Sequence, residues 1–233
     1  MQIFLDSVSI KEISFGMRMG IIKGVTTNPS LVAKKIKKLS QHSDNFFEDL
    51  VKRICEVVPG FPVSVEVTAE SSDEMVRQGI CFAEWSSQVV VKIPLTSQGL
   101  EACFRLTQQG IPVNITLCFS LNQAFLASQA GATYISVFLG RLEDDGKDAF
   151  QVIQETYQML QHTQSSSKLL AASVRTASQV HKSIVSGVHI ATVPFSVLEE
   201  MIFHHLTEKG VNQFKEDSQI FVCPISALEA SIL

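Results

Sequence analysis

The residues able to do chemistry stand at the ends of short, β-branched runs. Lys92 lies in Val89-Val90-Val91-Lys92-Ile93-Pro94, with apolar neighbours on both sides. A lysine in water has a pKa near 10.4 and is protonated at neutral pH. Burial disfavours that charge and frees the lone pair for attack on a carbonyl, the route to a Schiff base. A strand-end lysine reaching solvent is the other reading of the same position. Glu66 in Val63-Ser64-Val65-Glu66-Val67-Thr68 and Thr116 in Val113-Asn114-Ile115-Thr116-Leu117-Cys118 bring a carboxylate and a hydroxyl. The two can hold a water that shuttles protons for imine formation, or form a structural hydrogen-bonded pair. Asp6, closing Ile3–Asp6, can take a proton from a substrate hydroxyl or cap the following helix. Asn28, in Gly24-Val25-Thr26-Thr27-Asn28-Pro29-Ser30-Leu31, ends a run and also reads as turn plus helix start. Arg141 and Arg175 follow two consecutive runs, and Ser173 ends the second. Two guanidinium groups and a hydroxyl on one rim suit a phosphate monoester. Of six histidines only His204 and His205 are adjacent, and no H-E-x-x-H spacing occurs, so no metal site is expected.

These residues need elements to position them. Apolar, β-branched runs recur at Ile3–Asp6, Gly24–Asn28, Val63–Thr68, Val89–Pro94, Val113–Cys118, Tyr134–Leu139, Leu169–Val174 and His189–Pro194. Between them lie segments with apolar residues at helical spacing, such as Met75, Val76, Ile80 and Ala83, which Ser72 is expected to cap. A second such segment, Ala149 to Leu160, is introduced by Asp144 and Asp145, and Gly79, Gly110, Gly131 and Gly187 punctuate the pattern. Strands alternating with helices imply a parallel sheet, and eight such units imply an α/β fold closed as a single (β/α)8 TIM barrel. The expected boundaries are 1–215 for the catalytic barrel and 216–233 for a C-terminal tail. A doubly wound open sheet is the alternative, weakened by the missing G-x-G-x-x-G after the first run. A strand has period two, and the outward face of a barrel must be apolar to meet its helices. Ser64, Glu66, Thr68, Lys92, Asn114 and Thr116 are therefore expected to point inward, with Val113, Ile115 and Leu117 outward. Buried polar groups are costly without partners, so their convergence marks a site.

Composition narrows the functions. Hydrophobic residues make 45% of the chain, enough for a full core, and charged residues only 18%. The net charge of −4 offers no electrostatic footprint for nucleic acid. The one basic run, Lys34, Lys35, Lys37 and Lys38, reads as a solvated helix end complementing the helix dipole. Five cysteines (Cys55, Cys81, Cys103, Cys118, Cys223) form no C-x-x-C pair and read as reduced core residues of a cytoplasmic protein. No secretory leader is expected from the first residues. No apolar run reaches the ~18 residues of a membrane span, so a soluble protein without membrane partners is expected.

Several blocks resemble the transaldolases. They are Phe4-Leu5-Asp6, Gly24 to Leu31, Val63 to Val67, Val90 to Pro94, Gly110 to Thr116, Ala130 to Ser136, Phe138-Leu139-Gly140-Arg141 and Ala171 to Arg175, in family order. The short length resembles the small branch that includes fructose 6-phosphate aldolase. The resemblance implies that Lys92 forms a Schiff base with a ketose donor and that Asp6 deprotonates its C4 hydroxyl. Glu66 and Thr116 would position the catalytic water. Thr26, Asn28, Asn114, Ser136 and Phe138 would bind the substrate, and Arg141, Ser173 and Arg175 its phosphate. The implied reaction moves a dihydroxyacetone unit from sedoheptulose 7-phosphate or fructose 6-phosphate to an aldose phosphate, in the non-oxidative pentose phosphate pathway, with no cofactor. It also implies a homo-oligomer, a pentamer or decamer. The tail after Asp217 departs from the tryptophan-bearing ending of the small branch, where that ending interlocks subunits. Two alternatives stand beside transfer: an aldolase releasing free dihydroxyacetone, and a non-catalytic sugar-phosphate-binding barrel. At the positions matching Glu66 and Phe138 the aldolase branch has glutamine and tyrosine, so this chain has the transaldolase pattern at both.

Overall fold

The structure, a computed structural model, describes residues 1–38, 43 and 45–220. The strands are β1 (Gln2–Asp6), β2 (Ile22–Thr26), β3 (Val63–Glu66), β4 (Val89–Pro94), β5 (Val113–Cys118), β6 (Tyr134–Phe138), β7 (Lys168–Ala172) and β8 (Ile190–Val193). They pair in parallel in chain order, and β8 returns to β1 to close the barrel. The crossovers carry α1 (Ile10–Arg18), α2 (Pro29–Ile36), α3 (Phe46–Val57), α4 (Ser72–Trp85), α5 (Ser97–Thr107), α6 (Leu121–Gln129), α7 (Leu139–Asp144), α8 (Ala149–His162) and α9 (Ala177–Val185). The expected (β/α)8 architecture is the one observed. Contacts divide the chain after Leu198: the barrel occupies Met1–Leu198, and a second unit begins at Glu199. That unit contains α11 (His205–Asp217), whose residues are almost all exposed; α10 (Phe195–Ile202) spans the division. Cys223 and the tail from 221 lie outside the described residues.

Period two sorts the strand residues as the alternation requires. Leu5, Val25, Val63, Val65, Val91, Ile93, Val113 and Ile115 are fully buried in the cluster between sheet and helices. The inner face divides in two. Phe4, Leu170, Ala172 and Ile190 form a separate apolar cluster, with Tyr134 and Phe138 packed against it. Phe4 meets Tyr134 edge-on at 5.9 Å between centroids. Gly24 makes room for this plug, since a Cβ there would lie 2.7 Å from the Phe4 ring. Beside the plug the inner face turns polar.

Local chemistry starts and stops the helices. Ser9, Asn28, Thr96, Ser120 and Thr176 are N-caps whose side chains accept from backbone N–H groups three residues on. Five expectations need correction. The cap of α4 is Ser71, not Ser72, and Asp148 rather than the pair at 144–145 caps α8. Gly110, Gly131 and Gly187 do end helices at positive φ. Gly79 instead lies inside α4, where a Cβ would meet Leu106 at 2.8 Å. Among the cysteines Cys55, Cys103 and Cys118 are buried, but Cys81 is exposed. Thr68 falls beyond the end of β3 and is exposed, so it does not join the inward set.

Candidate active site

Lys92 is 5% exposed near the C-terminal end of β4. Register places Glu66 of β3 and Asn114 of β5 beside it on the inner face. Its Nζ lies 2.8 Å from Glu66 Oε2 and donates to the Thr27 carbonyl at 3.2 Å. Two desolvated charges gain little stability from each other, because stripping their water offsets most of the attraction. An ion pair inside a barrel mouth is therefore better explained by chemistry than by folding.

Three groups of side chains surround that pair. On one side Thr26 donates to Asp6 Oδ1 at 2.8 Å, and its hydroxyl lies 2.6 Å from that of Thr192 on β8. Burial pushes the Asp6 carboxyl above the ordinary carboxylate range; Lys92 and the hydrogen bonds from Thr26 and Asn28 oppose the rise, and Glu66 adds to it. Asp6 caps no helix, since Ser9 caps α1. Asn28 starts α2 as foreseen, its Oδ1 accepting from Leu31 N at 2.9 Å, and it also stands on the cavity wall. Beneath the pair runs a buried chain in which Ser136 donates to Asn114 Oδ1 at 2.7 Å and Asn114 Nδ2 donates to Ser64 Oγ at 3.1 Å. That chain fixes the amide orientation across three strands. Thr116 is fully buried, and its hydroxyl has no hydrogen-bond partner among the described residues. Such orphaned groups are rare in protein interiors, and a bridging water is their usual partner.

A cavity of about 450 Å³ opens over these residues, a size suited to a small metabolite. Asp6, Thr26, Asn28, Glu66, Lys92 and Ser136 line it, together with Phe138, which closes β6, and Arg141 and Ser173, which follow β6 and β7. The Arg141 guanidinium lies over the Phe138 ring, 5.2 Å from its centroid, and Phe119 meets that ring edge-on at 5.9 Å. Asn114 and Thr116 are not on the wall. Neither is Arg175: its guanidinium makes a bidentate pair with Asp144, both bonds 2.6 Å, at the exposed surface.

Sequence reasoning missed several wall residues. Lys34, assigned to solvent, reaches the rim from α2, on the same helix face as Ser30 and Leu31. Thr192 also lines the cavity; it shares a face with Ile190, so the alternation of the last strand carried the signal. Leu117, expected outward, has φ +57 and lines the cavity. The β5–β6 register shifts between Ile115 and Cys118, and this irregularity turns Leu117 off the outer face. Ser173, with φ +56, is a second left-handed residue on the wall. Backbone strain of this kind concentrates at functional sites. Among the described residues no group of three His, Cys, Asp or Glu side chains is placed to hold a metal ion.

Comparison with known proteins gives the same region a context. The family described as "Transaldolase/Fructose-6-phosphate aldolase" matches residues 3–225. The chain is 45% identical over 219 residues to a probable transaldolase of Herpetosiphon aurantiacus, covering 94% of this chain and 95% of that protein. It is 42% identical over 217 residues to a probable transaldolase of Anaeromyxobacter sp., covering 93% and 97%. A probable transaldolase 2 of Listeria monocytogenes is 40% identical over 221 residues, covering 95% and 97%. Among solved structures, thiamine phosphate pyrophosphorylase from Pyrococcus furiosus superposes with a TM-score of 0.58 at 10% identity, covering 83% of this chain and 85% of that one. That likeness extends to the fold alone.

Proposed function

The chain belongs to the transaldolase/fructose-6-phosphate aldolase family and is an enzyme that transfers aldehyde or ketone groups, and from that premise we propose that it does so through a Schiff base on Lys92. The observation that carries the reading is a lysine 5% exposed, at a barrel strand end, with a carboxylate 2.8 Å from its nitrogen. Glu66 takes the ammonium proton, and the freed amine attacks the ketose C2 carbonyl. Loss of water gives an iminium, in which Glu66 and a water held by the Thr116 hydroxyl move the protons. Asp6 then removes the C4 hydroxyl proton. The C3–C4 electron pair flows into the iminium, the aldose leaves, and a dihydroxyacetone enamine remains on Lys92. Addition to a second aldose and return of the proton reverse these steps, and hydrolysis frees the new ketose. Asn28 and Ser136 hold the three-carbon unit, with Asn114 orienting Ser136 from behind the wall; Thr26 holds Asp6 at the substrate's C4 hydroxyl, and Arg141, Ser173 and Arg175 hold the phosphate. Arg175 reaches it by leaving Asp144.

Transfer is favoured over release of free dihydroxyacetone by Phe138, which lines the cavity and has no hydroxyl to hold a water near the enamine. The donors are sedoheptulose 7-phosphate or fructose 6-phosphate, and the setting is the non-oxidative pentose phosphate pathway in the cytoplasm. Among the described residues no helix is long and apolar enough to cross a membrane. The protein acts as a homo-oligomer of five or ten subunits. Exposed Phe203, Leu206 and Phe214 (61%, 58% and 73%) support that assembly. The test is borohydride reduction with fructose 6-phosphate and mass mapping of the adduct. A three-carbon mass on Lys92 is expected, and an adduct elsewhere refutes the assignment. Following products with and without erythrose 4-phosphate separates transfer from release.

A further inference from the structure

We infer that Thr192 is a positioning residue for the carbon–carbon step, its hydroxyl acting through Thr26 to hold Asp6 against the substrate. The inference rests on the reading above, in which Asp6 takes and returns the C4 hydroxyl proton.

Counting hydrogens fixes the direction of the chain. Thr26 has one hydroxyl hydrogen and gives it to Asp6 Oδ1, 2.8 Å away. The 2.6 Å approach of the Thr26 and Thr192 oxygens must then be bridged by the Thr192 hydrogen. Every hydrogen points toward Asp6. The two threonines come from β2 and β8, the strands that flank β1, so together they brace the end of the strand that bears the carboxylate. Both are buried, at 2% and 4% exposure, and a threonine side chain is stiff at χ1. A separation of 2.6 Å suits two hydrogen-bonded oxygens but lies well inside carbon–oxygen contact distance. A methyl in place of the Thr192 hydroxyl must therefore push Thr26 away from Asp6. The other charged groups around Asp6 are Lys92 on β4 and Glu66 on β3, with Arg141 and Lys34 on the same cavity wall. Replacing Thr192 alters none of them.

The experiment compares Thr192→Val, Thr192→Ala and Thr192→Ser with wild type in two reactions. Transfer from fructose 6-phosphate to erythrose 4-phosphate needs Asp6. Borohydride trapping of dihydroxyacetone forms the imine without breaking a carbon–carbon bond. For the valine variant kcat should fall about ten-fold with KM nearly unchanged, the scale of a few tenths of an ångström of misplacement. The acid limb of kcat should move up by about half a pH unit, because Asp6 loses support for its charged form. Trapping on Lys92 should stay at the wild-type yield. Alanine, which introduces no clash, should show the same pattern more weakly, and it decides the matter should the valine protein not fold. Serine should restore the acid limb. Wild-type kcat and acid limb in both valine and alanine variants would overturn the inference. So would a parallel loss of trapping, which would give Thr192 to the imine step or the fold. Failure of trapping in the wild type would instead strike the Schiff-base reading itself.

Discussion

Replacing Gly140 by alanine tests how the two sides of the proposed phosphate rim are joined. Gly140 lies in α7, and its N–H donates to the Ser173 carbonyl at 3.1 Å. A Cβ at this position would collide with that same carbonyl oxygen and come within 2.7 Å of Arg175 Nε. Helix propensity alone predicts a gain, since alanine is favoured over glycine by about 1 kcal/mol. Two terms oppose it. Overpacking against backbone that cannot rotate away costs about 1–3 kcal/mol. Losing the hydrogen bond from buried Gly140 to half-buried Ser173 costs about 1–2 kcal/mol more. The sum favours destabilisation by about 1–4 kcal/mol. For a barrel of this size each kcal/mol lowers Tm by about 2–4 °C, so a fall of several degrees is expected. Because Arg141 and Ser173 sit at the two ends of the strained contact, KM for fructose 6-phosphate should rise more than KM for unphosphorylated fructose. Thermal unfolding by circular dichroism and steady-state kinetics on both donors read the two effects. A variant that melts with wild type, or higher, would mean that the close approach is not a constraint.

Three further outcomes are expected. Arg141→Ala and Arg175→Ala should each raise KM for phosphorylated donors by about ten-fold or more, as for a lost charge-assisted contact, and leave fructose nearly unaffected. The loss should be greater for Arg141, which stands on the wall, and equal losses on both donor types would make the arginines structural. Phe138→Tyr, alone or with Glu66→Gln, should raise the fraction of free dihydroxyacetone released while Lys92 still traps; wild type cleaving fructose 6-phosphate at full speed without acceptor would favour the aldolase. Asp6→Asn should abolish transfer yet raise Tm at pH 8. The Asp6 pKa is raised in the fold, so the native state favours the neutral acid, and ionisation above that pKa works against folding. The gain should shrink as pH falls through the raised folded pKa and vanish below the ordinary value of 3.8, and a variant less stable than wild type at pH 8 would contradict the burial argument.

Much of the site was legible because strand alternation is a strong constraint. Once eight runs imply a barrel, the partition of Glu66, Lys92, Asn114 and Thr116 from their valine and isoleucine neighbours follows without further information. What escaped was whatever depends on contacts between distant segments. Nothing near Leu117 announces a left-handed backbone; it arises where β5 and β6 change register. The Arg175 guanidinium sits on Asp144, 31 residues away in sequence, and that pairing has no local signature. Gly79 and Gly140 looked like punctuation or a family motif, but each is a glycine because a neighbouring chain comes too near for a side chain. Lys34 was hidden by its companions, since only the helical position shared with Ser30 separates it from a solvated cluster.

The apolar plug of Phe4, Leu170 and Ile190 has a kinetic consequence. It fills the barrel interior beside the cavity, so substrates of the proposed reaction exchange at the mouth where Phe138, Arg141 and Ser173 stand. A departing aldose must clear that passage before an acceptor can enter, which makes the two aldoses mutually exclusive occupants. On the proposed covalent mechanism the reaction order follows: one substrate in, one product out, and only afterwards the second exchange. An excess of acceptor will occupy the unloaded site and hold up the donor, so crowding by the second substrate slows the first half-reaction.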